Sequence, residues 1–459
     1  MYSMSRRRKP AMNMIEGSLG DKVLQFAVPL AITGVLQQIF NATDVAVVGQ
    51  FAGKNAMAAV GSNSPVVGLM VNLFVGVSLG ANVVISRFTG QRNPDGIRRG
   101  VHTAVLVALV TGVIVAVLGI LISRPMLELL GVPSSIMPMA LAYLRIYLLG
   151  MPVILLYNFE SSIFRSQGDT RTPLFCLITA GLLNVVLNLF FVLVLHMDAD
   201  GVAAATVISN TVSSGLMFLV LRRTGAPIRI RFRDFRIDRG ILKVMLQIGL
   251  PAGLQGMVFS ISNLCIQSAL NSLGPDIIAA SSAAFNIEIV AYYIINAFGQ
   301  AETTFIGQNS GARKPDRCRR VIRIGLAQDL IFTAILCTAI IYFAVPLLKL
   351  FNTDPEVVRY GQIRIVYILS FEVINALIEG FSGVLRGFGK SLAPALVALV
   401  GICGTRIVWV FFVFPNHPDF RLLILCFPIS WAITAGILIL YYLLIRRRLF
   451  AGIAPAGVH

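Results

Sequence analysis

The chain has 459 residues, of which 56% are apolar and 13% charged, with a net charge of +17 and a mean hydropathy of +0.81. A soluble domain usually carries about 25% charge, so this chain cannot clothe itself in water, and lipid must be its other solvent. The positive charge sits in short clusters between long apolar runs, which argues against a nucleic-acid partner and for basic loops that meet an anionic leaflet.

The N-terminus carries Arg6, Arg7, Arg8 and Lys9, and a long apolar run begins at Val23. No small-residue cleavage site follows a short apolar segment, so the first helix reads as retained. Runs able to cross a bilayer, about 20 residues each, fall near 23–49, 56–86, 101–122, 137–163, 172–195, 201–221, 242–270, 278–307, 322–345, 358–384, 392–414 and 422–445. Only helices or closed barrels span hydrocarbon, and these runs are too long and continuous for barrel strands. The expected fold is an all-α integral membrane protein of twelve transmembrane helices, here helices 1 to 12. Several runs exceed the bilayer thickness, which implies tilt, kinks or extension into the headgroups.

Every second loop is basic. With the N-terminus inside, the inner segments hold Arg87, Arg92, Arg98 and Arg99, then Arg165 and Arg171, then Arg222 to Lys243, Arg313 to Arg323, Arg386 and Lys390, and Arg446 to Arg448. That pattern places both termini in the cytoplasm; the expected setting is the plasma (inner) membrane of a bacterium. The organisation expected is a cytoplasmic segment 1–22, an N-lobe 23–221, a linker 222–241, a C-lobe 242–445 and a tail 446–459. Arginine alternates with apolar residues from Arg229 to Arg233, which reads as a membrane-surface segment.

The six cysteines form no CxxC pair and have no histidine partners, so they read as small core residues rather than a disulfide or zinc framework. His102, His196, His417 and His459 are scattered and make no constellation.

The two halves repeat. Gly90 begins G-Q-R-N-P-D-G-I-R-R and Gly311 begins G-A-R-K-P-D-R-C-R-R, a GxRxPDxxRR pattern displaced by 221 residues. The same displacement carries Arg165, Gly168 and Pro173 onto Arg386, Gly389 and Pro394, and Phe190 and Phe191 onto Phe411 and Phe412. Pro29 falls on Pro251 with one residue of slip. Six helices per half is an even number, so both halves enter from the same side as parallel repeats. Transporters of that design bind substrate between the halves and rock between access states.

Pro29, N-A-T-D-V-A-V-V-G (41–49), the two GxRxPD loops, R-S-Q-G-D-T-R-T-P (165–173), G-Q-N-S-G-A (307–312) and V-L-R-G-F-G-K (384–390) together resemble the multidrug and toxic compound extrusion (MATE) family, over residues of about 20–446. The resemblance implies two six-helix lobes in a V around a central cavity. It also implies export of organic, often cationic, compounds driven by inward proton or sodium flow.

Asp44 is the sharpest residue, because an ionised carboxylate within an apolar helix is costly and usually functional. The plainer alternative is a carboxylate that snorkels to water at the helix end. By the resemblance, its neighbours are Asn184 and Asn188 on helix 5 and Thr206 on helix 6. Asn184 and Asn188 share a face at i, i+4 spacing, although such an amide pair can also be ordinary interhelical glue. Many similar proteins carry aspartate where Asn188 stands. Two carboxylates would repel, leaving one easily protonated; with Asn188 here, burial alone has to favour the proton on Asp44. The same four side chains could instead hold sodium, and protons are the favoured reading. No other cofactor or metal is expected.

A NorM-like second design places acids on helices 7 and 10 of the C-lobe. The matching positions here are Phe259 and Asn375, neither of which ionises, so the DinF-like N-lobe scheme is the one expected. Among other acids in apolar runs, Glu288 beside Asn286 is expected to face the cavity and attract a cation, or to be a hydrogen-bonded structural acid. Glu302 and Glu379 are expected to pair with loop arginines and Arg406 with an acid; Asp329 and Glu372 carry no assigned role. Phe40, Met70, Phe74, Met257, Tyr292 and Tyr293 are candidates for an adaptable aromatic and thioether cavity, or simply core.

No GxxxxGK[ST] phosphate loop occurs, nor a catalytic triad or metal cluster, so neither an ATP-driven pump nor an enzyme is expected. The leading expectation is a monomeric, ion-coupled exporter of small organic compounds. A lipid-linked oligosaccharide flippase would favour a cavity rich in Arg and Lys, whereas the basic residues cluster in loops. A non-transporting receptor or structural protein would be indifferent to the loss of Asp44.

Overall fold

The computed structural model describes residues 12–225 and 227–453. Arg6, Arg7, Arg8, Lys9 and His459 lie outside the described residues. Ten helices are long and apolar enough to span: helix 1 (Gly20–Ala52), helix 2 (Lys54–Gly90), helix 3 (Pro94–Leu129), helix 5 (Arg171–Val194), helix 6 (Ala199–Arg223), helix 7 (Arg239–Asn271), helix 8 (Pro275–Gly311), helix 9 (Pro315–Tyr342), helix 11 (Leu392–Asn416) and helix 12 (Phe420–Ala451). Two bent pairs supply the rest: helix 4 (Met137–Leu149 with Met151–Ser166, 48°) and helix 10 (Pro355–Leu369 with Glu372–Gly387, 44°).

The helices outrun their apolar stretches. Helix 3 has 36 residues against an apolar run of 101–122, because Asn93 caps its start by accepting from the Gly96 amide and Pro94 presets the first turn. The bend in helix 4 follows from Pro152, which lacks an amide hydrogen and crowds the preceding turn. The bend in helix 10 falls at the equivalent place, 221 residues on, without a proline. The break is therefore a property of the repeat and only one copy shows it in sequence.

The GxRxPD loops have identical local structure. Arg92 and Arg313 both adopt φ 53°, Pro94 and Pro315 start the next helices, and Asp95 and Asp316 pair with Arg98 and Arg319 three residues on. The glycine of each loop faces the other lobe. A Cβ on Gly90 would lie 1.9 Å from the Gln308 carbonyl oxygen, and one on Gly311 would lie 2.3 Å from the Arg87 carbonyl oxygen. Helices 2 and 7 pack as tightly lower down, where Gly76 meets Gly253 and Gly80 meets Met245 and Gly249. Small residues let helix backbones approach closely in lipid.

Helices 1 and 7 each cross from one lobe to the other. Val23, Phe26, Ala27 and Leu30 of helix 1 share a core with Phe298, Phe305, Val321 and Leu385, and Phe26 sits edge-on to Phe305 at 5.9 Å. Ile241, Met245 and Ile248 of helix 7 share a core with Val101, Val105, Phe159 and Met217. The far end of helix 7 returns to its own lobe through Ile266 and Leu270. The lobes meet on the face that carries the basic loops, through Asn82–Thr304 (3.0 Å), Arg165–Gln300 (2.5 Å) and Gln308 to the Ser166 carbonyl (2.7 Å). Tyr293–Gln38 and Asn72–Ser260 are the last such pairs toward the opposite face.

The linker does not merely skim a surface. Ile228 and Ile230 are buried in the N-lobe core while Arg229, Arg231 and Arg233 point out. The alternation is a half-buried extended segment. His102 pins it: its Nε2 lies 3.0 Å from the Arg231 amide nitrogen, and Nδ1 lies 2.7 Å from the Arg98 carbonyl.

Candidate functional site

The outer half of helix 1 returns to the N-lobe and brings Asp44 against helices 5 and 6. Asn188 Nδ2 donates to Asp44 Oδ1 at 2.6 Å, and Thr206 Oγ1 donates to Oδ2 at 3.3 Å. Asn188 Nδ2 also reaches Asn184 Oδ1 at 3.2 Å. All four polar residues named from the sequence therefore form one pocket. Asn184 and Asn188 are buried, Asp44 and Thr206 partly so.

The pocket's shape has local causes. Gly181, one turn before Asn184, leaves room for the Phe40 ring; a Cβ there would lie 1.9 Å from Phe40 Cε2. Helices 1 and 5 then pass into single wide turns, Val48–Ala52 and Phe190–Val194. Such turns recur where helices build functional sites. Tyr143 and Tyr147 on helix 4 stack at 6.2 Å. Their i, i+4 spacing was a readable sign of a shared face.

Chemically, the pocket holds one carboxylate among neutral amides and hydroxyls. No cation pairs with Asp44 among the described residues. Asn188 Oδ1 is buried and without a hydrogen-bond partner.

The cavity candidates lie in several packing environments. Phe40 belongs to the Asp44 pocket. Met70 and Phe74 pack on N-lobe cores. Met257 is half-buried on helix 7, and Tyr292 is 46% exposed beside Tyr293. Asn286 donates to the Ser282 carbonyl at 2.9 Å.

Glu288 corrects the expectation of a cavity acid. Both its oxygens accept from buried Arg364, at 3.1 and 3.3 Å from Nε and 3.1 Å from Nη2. Helix 10 carries Arg364 alongside helix 8, and no sequence spacing announces that pairing. Breaking a buried ion pair by removing one partner costs about 3–5 kcal/mol. Arg364→Ala is therefore expected to lower the apparent melting temperature in detergent by several degrees. Glu288→Gln combined with Arg364→Met should lower it less, and equal losses would contradict a paired charge.

Arg406 also departs from expectation. It has no acid in contact among the described residues; Nε reaches Ser430 Oγ at 3.3 Å, Nη1 reaches Asn263 Oδ1 at 3.1 Å, and its guanidinium lies 4.4 Å from the Phe427 ring centre. An amide, a hydroxyl and an aromatic face take the place of a counter-ion. Glu379 does pair with Arg386. Glu302 does not: its oxygens have no partner among the described residues, and Gly325 and Gly380 seat it between helices 9 and 10. Glu372 accepts from Asn375 at 2.8 Å and Asp329 from Thr333 at 3.2 Å. Sequence reasoning missed Glu160, buried on helix 4 and accepting from Ser214 at 2.7 Å; a lone acid in the 137–163 run was its signal.

The C-lobe has no copy of the pocket. Ile266, near the equivalent of Asp44, is buried among apolar residues. Trp409, equivalent to Asn188, donates to the Leu422 carbonyl at 2.9 Å.

The family model MatE matches residues 29–190 and again 251–412. The chain belongs to the MatE family. Each match covers most of one half, so the duplication read from the loops is that of the family unit. MatE proteins are membrane transporters of small molecules, not enzymes. This chain is 26% identical over 433 residues to "Probable multidrug resistance protein YoeA" of Bacillus subtilis (strain 168), covering 92% of this chain and 93% of that one. It is 26% identical over 426 residues to "Probable multidrug resistance protein NorM" of Thermotoga maritima, covering 88% of each. Its fold matches the structure described as "Outward-facing conformation of a multidrug resistance MATE family transporter of the MOP superfamily" at TM-score 0.87 and 22% identity, over 97% of this chain and 99% of that one.

Proposed function

We propose that this MatE chain is a secondary active exporter of small cationic or lipophilic organic compounds, driven by inward proton flow through Asp44. The observation that carries the reading is the Asp44 pocket: a carboxylate within a transmembrane helix, held by Asn188 and Thr206 and by no counter-ion. An ionised carboxylate so placed binds a cation readily. When Asp44 is ionised, its two oxygens accept from Asn188 and Thr206. When it carries a proton it becomes a donor, and Asn188 Nδ2 can then donate only to the oxygen that stays unprotonated. Uptake of one proton thus exchanges one hydrogen-bond pattern for another.

Helix 1 ties that exchange to the lobes. Its far half carries Asp44 in the N-lobe, while its near half is packed into the C-lobe core. A change of tilt at Asp44 therefore bears on the lobe interface. With the basic face in the cytoplasm, this conformation is closed inward, and substrate leaves outward between the lobes. The chain works as a monomer in the inner membrane, with both termini in the cytoplasm. Half-exposed Tyr292 and Met257 offer an aromatic and a thioether surface to a flat cation.

Expression in a host deprived of its own efflux pumps tests the substrate class. Sensitivity to ethidium and related lipophilic cations should fall several-fold. Unchanged sensitivity across a broad panel, with the protein present in the membrane, would remove the multidrug reading.

A further inference from the structure

The segments that lead into helices 1 and 7 are each gripped by the opposite lobe. Residues 12–19 lie across the basic face. Arg317 of helix 9 donates to three of their carbonyls: Nε to Met14 at 3.1 Å, Nη1 to Gly17 at 2.9 Å and Nη2 to Glu16 at 3.0 Å. Lys314 reaches the Ile15 carbonyl at 3.1 Å and Asn309 the Met14 carbonyl at 3.2 Å. The Met14 side chain is fully buried in the C-lobe core. The same segment touches the N-lobe through Met12 against Gly168 and Glu16 with Arg92.

The linker, which leads into helix 7, is gripped by the N-lobe as residues 12–19 are gripped by the C-lobe. Phe235, 221 residues after Met14, packs on the N-lobe core and edge-on to His102 at 5.5 Å. His102 holds the Arg231 backbone. Thr103 Oγ1 accepts from the Asp238 amide at 3.1 Å, and Arg99 pairs with the Asp238 carboxylate at 3.1 Å. Arg317 in one grip, and Arg99, His102 and Thr103 in the other, lie on the helix that follows a GxRxPD loop.

We propose that these two segments are paired clasps that hold the basic face shut, and that both must release before it opens. The proposal rests on the reading of the protein as a transporter with two access states. Hydrogen bonds to a charged group are the stronger kind. Losing the three made by Arg317 should therefore move an open-to-closed ratio by about tenfold or more.

The test is a distance distribution between spin labels at Arg171→Cys and Lys390→Cys, exposed positions on the basic face of the two lobes. It is measured in full-length protein in lipid nanodiscs, with the six native cysteines replaced. Arg317→Ala should transfer population from the short to a longer distance. Lys314→Ala should shift it less in the same direction, His102→Ala should act likewise from the other clasp, and Arg317→Ala with His102→Ala should shift it most. Arg319→Ala is the control, since Arg319 pairs with Asp316 and lies over Phe450 without touching the segment. Distributions for Arg317→Ala, Lys314→Ala and His102→Ala that coincide with the control would overturn the proposal, and would mean that residues 12–19 travel with the C-lobe in both states. No substrate or gradient enters the measurement. A shift in a protein that moves no compound would uphold the clasps while removing the transport reading.

Discussion

Asp44→Asn should reduce ion-driven efflux to the level of empty liposomes while leaving the yield of membrane-inserted protein unchanged. Asparagine keeps the size of the side chain and can still accept from Asn188 or Thr206, so the pocket loses only about one net hydrogen bond, on the order of 1 kcal/mol. What it loses entirely is the exchangeable charge. Efflux measured in reconstituted vesicles, beside the size-exclusion profile of the same preparation, separates the two effects. Efflux retained by well-folded Asp44→Asn would remove Asp44 from the coupling step. A non-transporting receptor would show no efflux in either form.

The second large effect belongs to the paired loop glycines. Gly311→Ala or Gly90→Ala places a methyl group within 2.3 or 1.9 Å of a backbone carbonyl oxygen of the other lobe. No rotamer change relieves a clash with backbone, so the two helix ends must separate. Overpacking of this kind costs about 1–3 kcal/mol, enough to shift a two-state balance by roughly 5- to 150-fold. Each lobe keeps its own core, so the variants should fold and insert. Transport should fall about 5-fold or more, and a cysteine introduced at Ser86, buried at this seam, should become reactive to a maleimide added from the basic face. Normal transport together with an unreactive Ser86→Cys would show that the seam is looser than these contacts require.

Much of this architecture was legible in the chain itself. Lipid leaves few ways to satisfy a backbone, so apolar runs announce spans. The GxRxPD loops announced the duplication because their glycine, proline and aspartate each answer a local demand: close approach, a first helical turn, and a charge for the next arginine. The Asp44 pocket was legible through resemblance, and its i, i+4 asparagines support it from spacing. The rest depends on which helices become neighbours. Glu288 and Arg364 are 76 residues apart and nothing in either run signals the other. Arg406 finds an amide, a hydroxyl and a ring, so searching for an acid could not place it. The crossing of helices 1 and 7 was hidden because each is a single apolar run whose two halves serve different cores. The bend in helix 10 was hidden because only helix 4 marks it with a proline.

The most direct measurement of the central claim is substrate movement in liposomes under one imposed gradient at a time. Purified protein is reconstituted and loaded with ethidium, and either a pH gradient without sodium or a sodium gradient at fixed pH is applied. Ethidium should move against the direction of proton flow, a sodium gradient alone should move none, and Asp44→Asn should abolish the response. Movement indifferent to both gradients, or driven by protons equally well without the Asp44 carboxylate, would contradict that claim.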